Sequence, residues 1–158
     1  MDFLQMALLR MLVNQSRQGA LSPLSDLMSE QDDINKIKKI LNENTHLNFV
    51  QRILNPENYP IMLMPEYGKG GFGTHLMSYS TTPKGAMIYP QIIQDPKTGR
   101  LIRLAPDVAS RYAYDTGQYF MLPTEDAEWF GKNYKKVWDK NTWDRFRARV
   151  EKGDTQHE

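Results

Sequence analysis

The chain has 158 residues, 40% hydrophobic and 25% charged, enough for one compact domain with a real core, with or without an appended helical segment. Twenty Lys and Arg oppose nineteen Asp and Glu, so a net charge of +1 supplies no global field toward nucleic acid or an anionic membrane. Cysteine is absent, which excludes disulfides, thiolate metal sites and a cysteine nucleophile together, and suits a reducing interior or an assembly that needs no staples.

In chain order, residues 3–13, "FLQMALLRMLV", predict a helix that is apolar nearly all round. Phe3, Leu4, Leu8, Met11 and Leu12 form its assembly face, and Met1, Met6 and Met11 make it adaptable. Such a helix docks on its own domain or inserts into a partner chain or a membrane surface. It is shorter than the ~20 residues a bilayer span needs. It has no basic leader or small-residue cleavage site, so a secretory signal is not expected. Residues 14–31 mix Gly, Pro and Ser and read as a linker, so 1–31 is an assembly segment.

Asp32 or Asp33 is positioned to cap a helix reaching Asn44, with Ile34, Ile37, Ile40 and Leu41 on one stripe. A short helix from Thr45 carries Leu47, Val50 and Leu54 and is stopped by Pro56. From Tyr59 the spacing changes to alternation. Ile61–Met64 is a candidate strand, and the glycines at 68, 70, 71 and 73 make a turn. Residues 73–80 and 86–93 predict two strands joined by the five-residue turn "TTPKG", and Tyr89-Pro90 ends ladder pairing because proline has no N–H to donate. "QDPKTG" (94–99) predicts a further hairpin leading into "RLIRL".

Pro106 suits the first position of a helix and Gly117 its end, with Val108, Ala109, Tyr112 and Ala113 as the buried stripe. "QYFML" (118–122) is a short strand. Thr124 is a cap candidate for a helix burying Ala127, Phe130, Tyr134, Val137 and Trp138. A break near Asn141 precedes a basic helix, and the last six residues are expected to fray. The fold class is α+β: N-terminal helices followed by a small antiparallel β-sheet packed with C-terminal helices. The domain runs over 32–140, and 141–158 form a basic helix and tail.

Three histidines are present, His46, His75 and His157, and none has a metal-ligand spacing, so neither a metal nor another cofactor is expected. Ser78 and Ser80 alternate out of step with His75 on the expected strand, which argues against a serine triad. Glu66 and Asp107 form a conceivable carboxylate pair that nothing in their spacing singles out. "GKGGFG" lacks the Lys-Ser/Thr ending of a phosphate loop and opens a strand, so it reads as a turn. Thr74, His75, Met77, Tyr79 and Tyr89 therefore read as a recognition or framework hairpin, with His75 on the sheet face. A His75-centred hydrolase ranks last.

Residues 132–149 hold seven Lys or Arg (Lys132, Lys135, Lys136, Lys140, Arg145, Arg147 and Arg149) against Asp139 and Asp144, interleaved with Tyr134, Trp138, Trp143 and Phe146. Lys135, Lys136, Arg145, Arg147, Arg149 and Trp143 are the candidate nucleic-acid contacts, by backbone charge and stacking. The alternative is that the aromatics are core and the charges a solvated face.

"NFVQRILNPENYP" (48–60), "FGTHLMSYS" (72–80), "YPQII" (89–93), "GRLIRL" (99–104), "YAYDTGQYF" (112–120) and "AEWFGKNYKKVW" (127–138) occur in that order. Together they resemble a small domain widespread in tailed bacteriophages, found alone or within large virion-associated proteins, including internal or ejected ones. The resemblance spans about residues 48–139. It implies a phage structural context and so a virion or capsid-interior location. The first expectation is a non-enzymatic component, internal or ejection-associated, that binds other phage virion chains through helix 3–13 and exposed aromatics as an oligomer or part of a larger assembly, in the phage particle and, during assembly, in the host cytoplasm. It carries over no catalytic residue. "EYGKGGFG" (66–73) departs from the shorter polar turn expected before Thr74-His75.

Overall fold

The computed structural model describes residues 22–64 and 72–156. The predicted helix 3–13, with Phe3, Leu4, Leu8, Met11 and Leu12, the linker to residue 21 and the glycine turn up to Gly71 lie outside the described residues. Helix α1 is Ser22–Asn42, so residues 22–31 are helical rather than linker. The physical reason is Pro23, which is compatible with a first turn that has no N–H partners to offer, and which reads as a breaker only inside a helix. The chain divides into two units inside α1, up to Lys36 and from Ile37 onward.

In the second unit, α2 (Asn48–Leu54) is followed by a single 3₁₀ turn, Pro56–Asn58, where the proline stops the α-helix as expected. The central sheet has the order β3–β4–β7, with β3 Met77–Thr82, β4 Gly85–Pro90 and β7 Phe120–Leu122, all antiparallel. Two small pairs flank it in sequence. β1 (Met62–Leu63) pairs with β2 (Phe72–Gly73), and β5 (Ile92–Gln94) with β6 (Leu101–Arg103) around the "DPKTG" turn.

The β3–β4 hairpin turns more tightly than "TTPKG" suggests, because Thr82 pairs with Gly85 and only Pro83-Lys84 lie outside the ladder. The Thr82 hydroxyl donates to the Gly85 carbonyl at 2.8 Å and accepts from the Lys84 N–H at 3.2 Å. Gly85 has φ +127°, and a Cβ there would sit 2.7 Å from the Leu122 carbonyl oxygen, so only glycine fits against β7. The single strand expected over 86–93 is two. Pro90 closes the first ladder opposite Met77, and the chain changes sheets at Gln91.

Helices α3 (Pro106–Thr116) and α4 (Thr124–Asn133) cover opposite faces of the sheet. Ala86, Ile88, Phe120 and Leu122 face a core built with Ile37, Leu41, Phe49, Val50, Ile53, Ala127 and Phe130. Met87 and Tyr89 face Ala109 and Ala113 of α3, whereas Val108, expected in that stripe, is 50% exposed. Gly117 ends α3 in the left-handed region at φ 75°, its N–H on the Ala113 carbonyl.

Pro123, not Thr124, occupies the cap position of α4, and no side-chain cap bond forms there. A 3₁₀ turn, Tyr134–Val137, leads to α5 (Lys140–Glu151), where Asp139 caps the Thr142 N–H at 2.8 Å. α5 buries Phe146 against Ile61 and Trp138, with Trp143 and Val150 packed beside them, and so belongs to the domain. Nor is the end frayed as far as Gln156. Its side-chain amide brackets Leu101, donating to the carbonyl and accepting from the N–H, and its own N–H reaches the Ile61 carbonyl at 2.6 Å.

Candidate functional site

On α2 the spacing that buries Phe49 and Ile53 also places Arg52 on the buried side, at 1% exposure. Its Nε–H donates to Asn48 Oδ1 at 3.0 Å, and its two Nη groups donate to the carbonyls of Thr74 at 2.7 Å and Ile92 at 2.6 Å. Those carbonyls belong to the irregular link after β2 and to the start of β5, so one guanidinium joins three backbone segments. Burial pulls the Arg52 pKa down to about 10, partly offset by Tyr59.

Thr74 and His75, the other buried polar side chains here, sit in the link between β2 and β3. The Thr74 hydroxyl donates to the Arg52 carbonyl at 3.1 Å and lies 3.0 Å from His75 Nδ1. Since that hydroxyl proton is committed to Arg52, the network assigns Nδ1–H as the donor of the pair and leaves Nε2 a bare lone pair. Nε2 is buried without a hydrogen-bond partner. The ring meets Tyr134 at 5.3 Å and Trp138 at 5.6 Å, both edge-to-face. Burial first, then the charges of Lys135 and Arg52, holds the His75 pKa well below its ordinary 6.5, so the ring is neutral.

His75 thus joins two aromatic groups. Phe49, Phe120, Phe130 and Tyr134 contact one another in series at 5.6–5.9 Å on one side. Trp138 packs on Trp143 at 4.8 Å and Phe146 at 5.3 Å on the other. Trp138 Nε1–H is fixed on the Ile53 carbonyl at 2.6 Å, which ties this knot back to α2. Burial raises the Tyr134 pKa above its ordinary value.

The expected hairpin constellation is therefore partly dispersed. His75 is not on the sheet face beside Met77 and Tyr79. It precedes β3, in a link whose Thr74 carbonyl goes to Arg52 instead of a ladder partner, and Leu76 accepts from the Gln91 N–H. Met77 packs on the main core, Tyr79 is 45% exposed, and buried Tyr89 accepts from the Ser80 hydroxyl at 3.3 Å. Ser78 is hydrogen-bonded to the Gln91 amide, so both serines are committed away from His75. Asp107 lies exposed in the first turn of α3, and Glu66 falls outside the described residues. Among the described residues no group of three or more His, Cys, Asp or Glu is placed to hold a metal ion.

Of the basic-aromatic segment, Tyr134, Trp138 and Phe146 are core, as the solvated-face alternative holds. Arg149 is also withdrawn from the surface set. It donates to the carbonyls of Pro56 at 3.0 Å and Tyr59 at 2.9 Å and to Asp154 at 2.8 Å. Arg145 and Arg147 are exposed, and Arg147 lies over the half-buried Trp143 ring at 5.6 Å. Lys135 reaches solvent, although partial desolvation lowers its pKa; Lys136 is half-buried.

Arg52 is the residue the sequence reading missed. Its signal was present in "NFVQRIL", where the spacing Phe49–Arg52–Ile53 puts a cation on an apolar stripe. Among the described residues no helix is long and apolar enough to cross a membrane. No protein-family model, curated protein or solved structure matches the chain.

Proposed function

We propose that the chain is a non-enzymatic, virion-associated component of a tailed phage, internal or ejection-associated, that works by binding other virion chains. The family context rests on the six ordered blocks between residues 48 and 139. The observation that carries the non-catalytic part is the state of His75. It is 2% exposed, enclosed by Tyr134 and Trp138, and hydrogen-bonded to a threonine that is itself tied to the backbone. A general base must lie within hydrogen-bond reach of a substrate proton, and this ring has no path to one. Tyr114 at 71% and Val108 at 50% on α3, and Met121 at 42% on β7, are apolar side chains within reach of a partner chain.

Mass spectrometry of purified particles, before and after genome release, tests this reading. The chain is expected in full particles, and its loss on emptying marks an internal or ejected protein. Absence from both would reject the virion assignment.

A nucleic-acid accessory role is the second reading, supported by the exposed Arg147 lying over the Trp143 ring on α5. It predicts affinity for single-stranded DNA or RNA that falls steeply with salt and weakens in Arg147→Ala and Lys136→Ala. Undetectable or salt-insensitive binding rejects it.

A further inference from the structure

Arg52 is a buried cation whose hydrogen bonds all end on neutral oxygens. Buried charges are ordinarily paired, because carbonyl dipoles replace hydration without neutralising the charge. A guanidinium has five N–H groups, and three are committed here. Arg52 also lines a cleft of about 410 Å³ between α2, the β5–β6 hairpin and α3.

The cleft is built rather than incidental. On its floor Asn48 accepts from Arg52 and donates to Gln94 Oε1 at 2.8 Å, and Gln94 donates to the Gly99 carbonyl at 3.0 Å. This chain of amides points each donor away from Arg52 and locks the floor in place. The opposite wall presents Tyr112 and Gln118, whose side chains have no hydrogen bond among the described residues, while Pro90 and Ile93 add apolar surface. Asp95 is the carboxylate in the lining. Its two oxygens are turned into the β5–β6 loop, one accepting from the Lys97 N–H at 3.0 Å and the other from the Thr98 hydroxyl at 2.9 Å. It does not neutralise Arg52.

We propose that this cleft binds a carboxylate, with Arg52 as the buried counter-charge at the floor and Tyr112 and Gln118 as the donors at the wall. Each Nη keeps one N–H that no acceptor among the described residues takes, and guanidinium donors suit a carboxylate in charge and hydrogen bonding. A phosphate dianion would bring a second negative charge beside Asp95. Arg52 is 1% exposed, so the attraction there is stronger than at an exposed arginine. The carboxylate comes either from a free small acid or from an acidic side chain of a bound polypeptide. This inference stands apart from the virion reading, since neither requires the other.

The test is a ¹H–¹⁵N NMR titration of the full chain, following Arg52 Nε–H and the side-chain amides of Asn48, Gln94 and Gln118. The probes are propionate, acetyl-Gly-Glu-Gly-amide and the neutral acetyl-Gly-Gln-Gly-amide. Saturable shifts of these signals are expected with a carboxylate probe and not with the glutamine peptide. Binding by the Glu peptide alone identifies a polypeptide side chain as the source, and equal binding by propionate shows that a free acid suffices. Gln118→Leu and Tyr112→Phe each remove an unbonded donor, leave the fold intact by the same spectra, and are expected to weaken binding about fivefold. Gln118→Glu places a like charge in the wall and is expected to abolish it. No saturable shift up to about 50 mM, equal shifts with the glutamine peptide, or undiminished binding by the Gln118→Glu protein would overturn the proposal.

Discussion

Around Phe49, Phe120 and Phe130 the interior is held by ring and aliphatic contact, whereas around Arg52, Thr74 and His75 it is held by directed hydrogen bonds. The two regions touch through Tyr134 and His75, yet they tolerate change differently. An apolar core accepts most apolar side chains of about the right volume. A polar knot accepts only a side chain that places its donors on the same oxygens, because each carbonyl left without one bears its full desolvation penalty.

That contrast yields an ordered set of expectations. The largest effect belongs to Arg52→Met, which keeps the stem but strips the Thr74 and Ile92 carbonyls of their donors. It is expected to destabilise by about 3–5 kcal/mol, and Arg52→Lys by nearly as much, since an ammonium cannot reach three acceptors. In the apolar core, Phe130→Leu is expected to lose only about 1–1.5 kcal/mol. Chemical denaturation of the three variants measures the difference, and an Arg52→Lys protein as stable as Phe130→Leu would erase the distinction.

Next is Gly85→Ala, expected to lose roughly 2 kcal/mol through its positive φ and the clash with the Leu122 carbonyl. Amide exchange should then accelerate across the β4–β7 pair before the rest of the sheet opens.

A subtler effect is expected with pH. Unfolded His75 takes up a proton near pH 6.5, while the folded ring stays neutral well below that. The unfolded state therefore binds more protons, and stability, fully present above pH 6.5, falls as the pH drops below it. His75→Gln should flatten that part of the profile relative to the natural chain, because His46 and His157 are common to both. The smallest effect is Lys140→Ala, which removes an exposed helix pair with Asp144 and should leave the melting temperature unchanged within error.

The sequence made the apolar half of this architecture legible. Ile37, Ile40 and Leu41 recur at helical spacing, Pro106 and Gly117 bracket α3 by their own backbone chemistry, and "DPKTG" turns as its residues require. What was hidden depends on partners distant in sequence. Arg52 meets Ile92, 40 residues away, and Trp138 meets Ile53, 85 away, and no local periodicity encodes such bonds. The strand expected through His75 failed for the same reason: a tertiary donor took the Thr74 carbonyl that a ladder would have used. Alternation alone could not reveal that.

The most direct measurement is the protonation state of His75, read from long-range ¹H–¹⁵N correlations of the imidazole rings between pH 8 and pH 4.5. A framework residue predicts a neutral ring with the proton on Nδ1 at every pH where the protein stays folded. A ring that titrates near 6.5 would be open to solvent and available for chemistry, and would contradict the account; a proton on Nε2 would contradict the Thr74–His75 hydrogen bond as assigned.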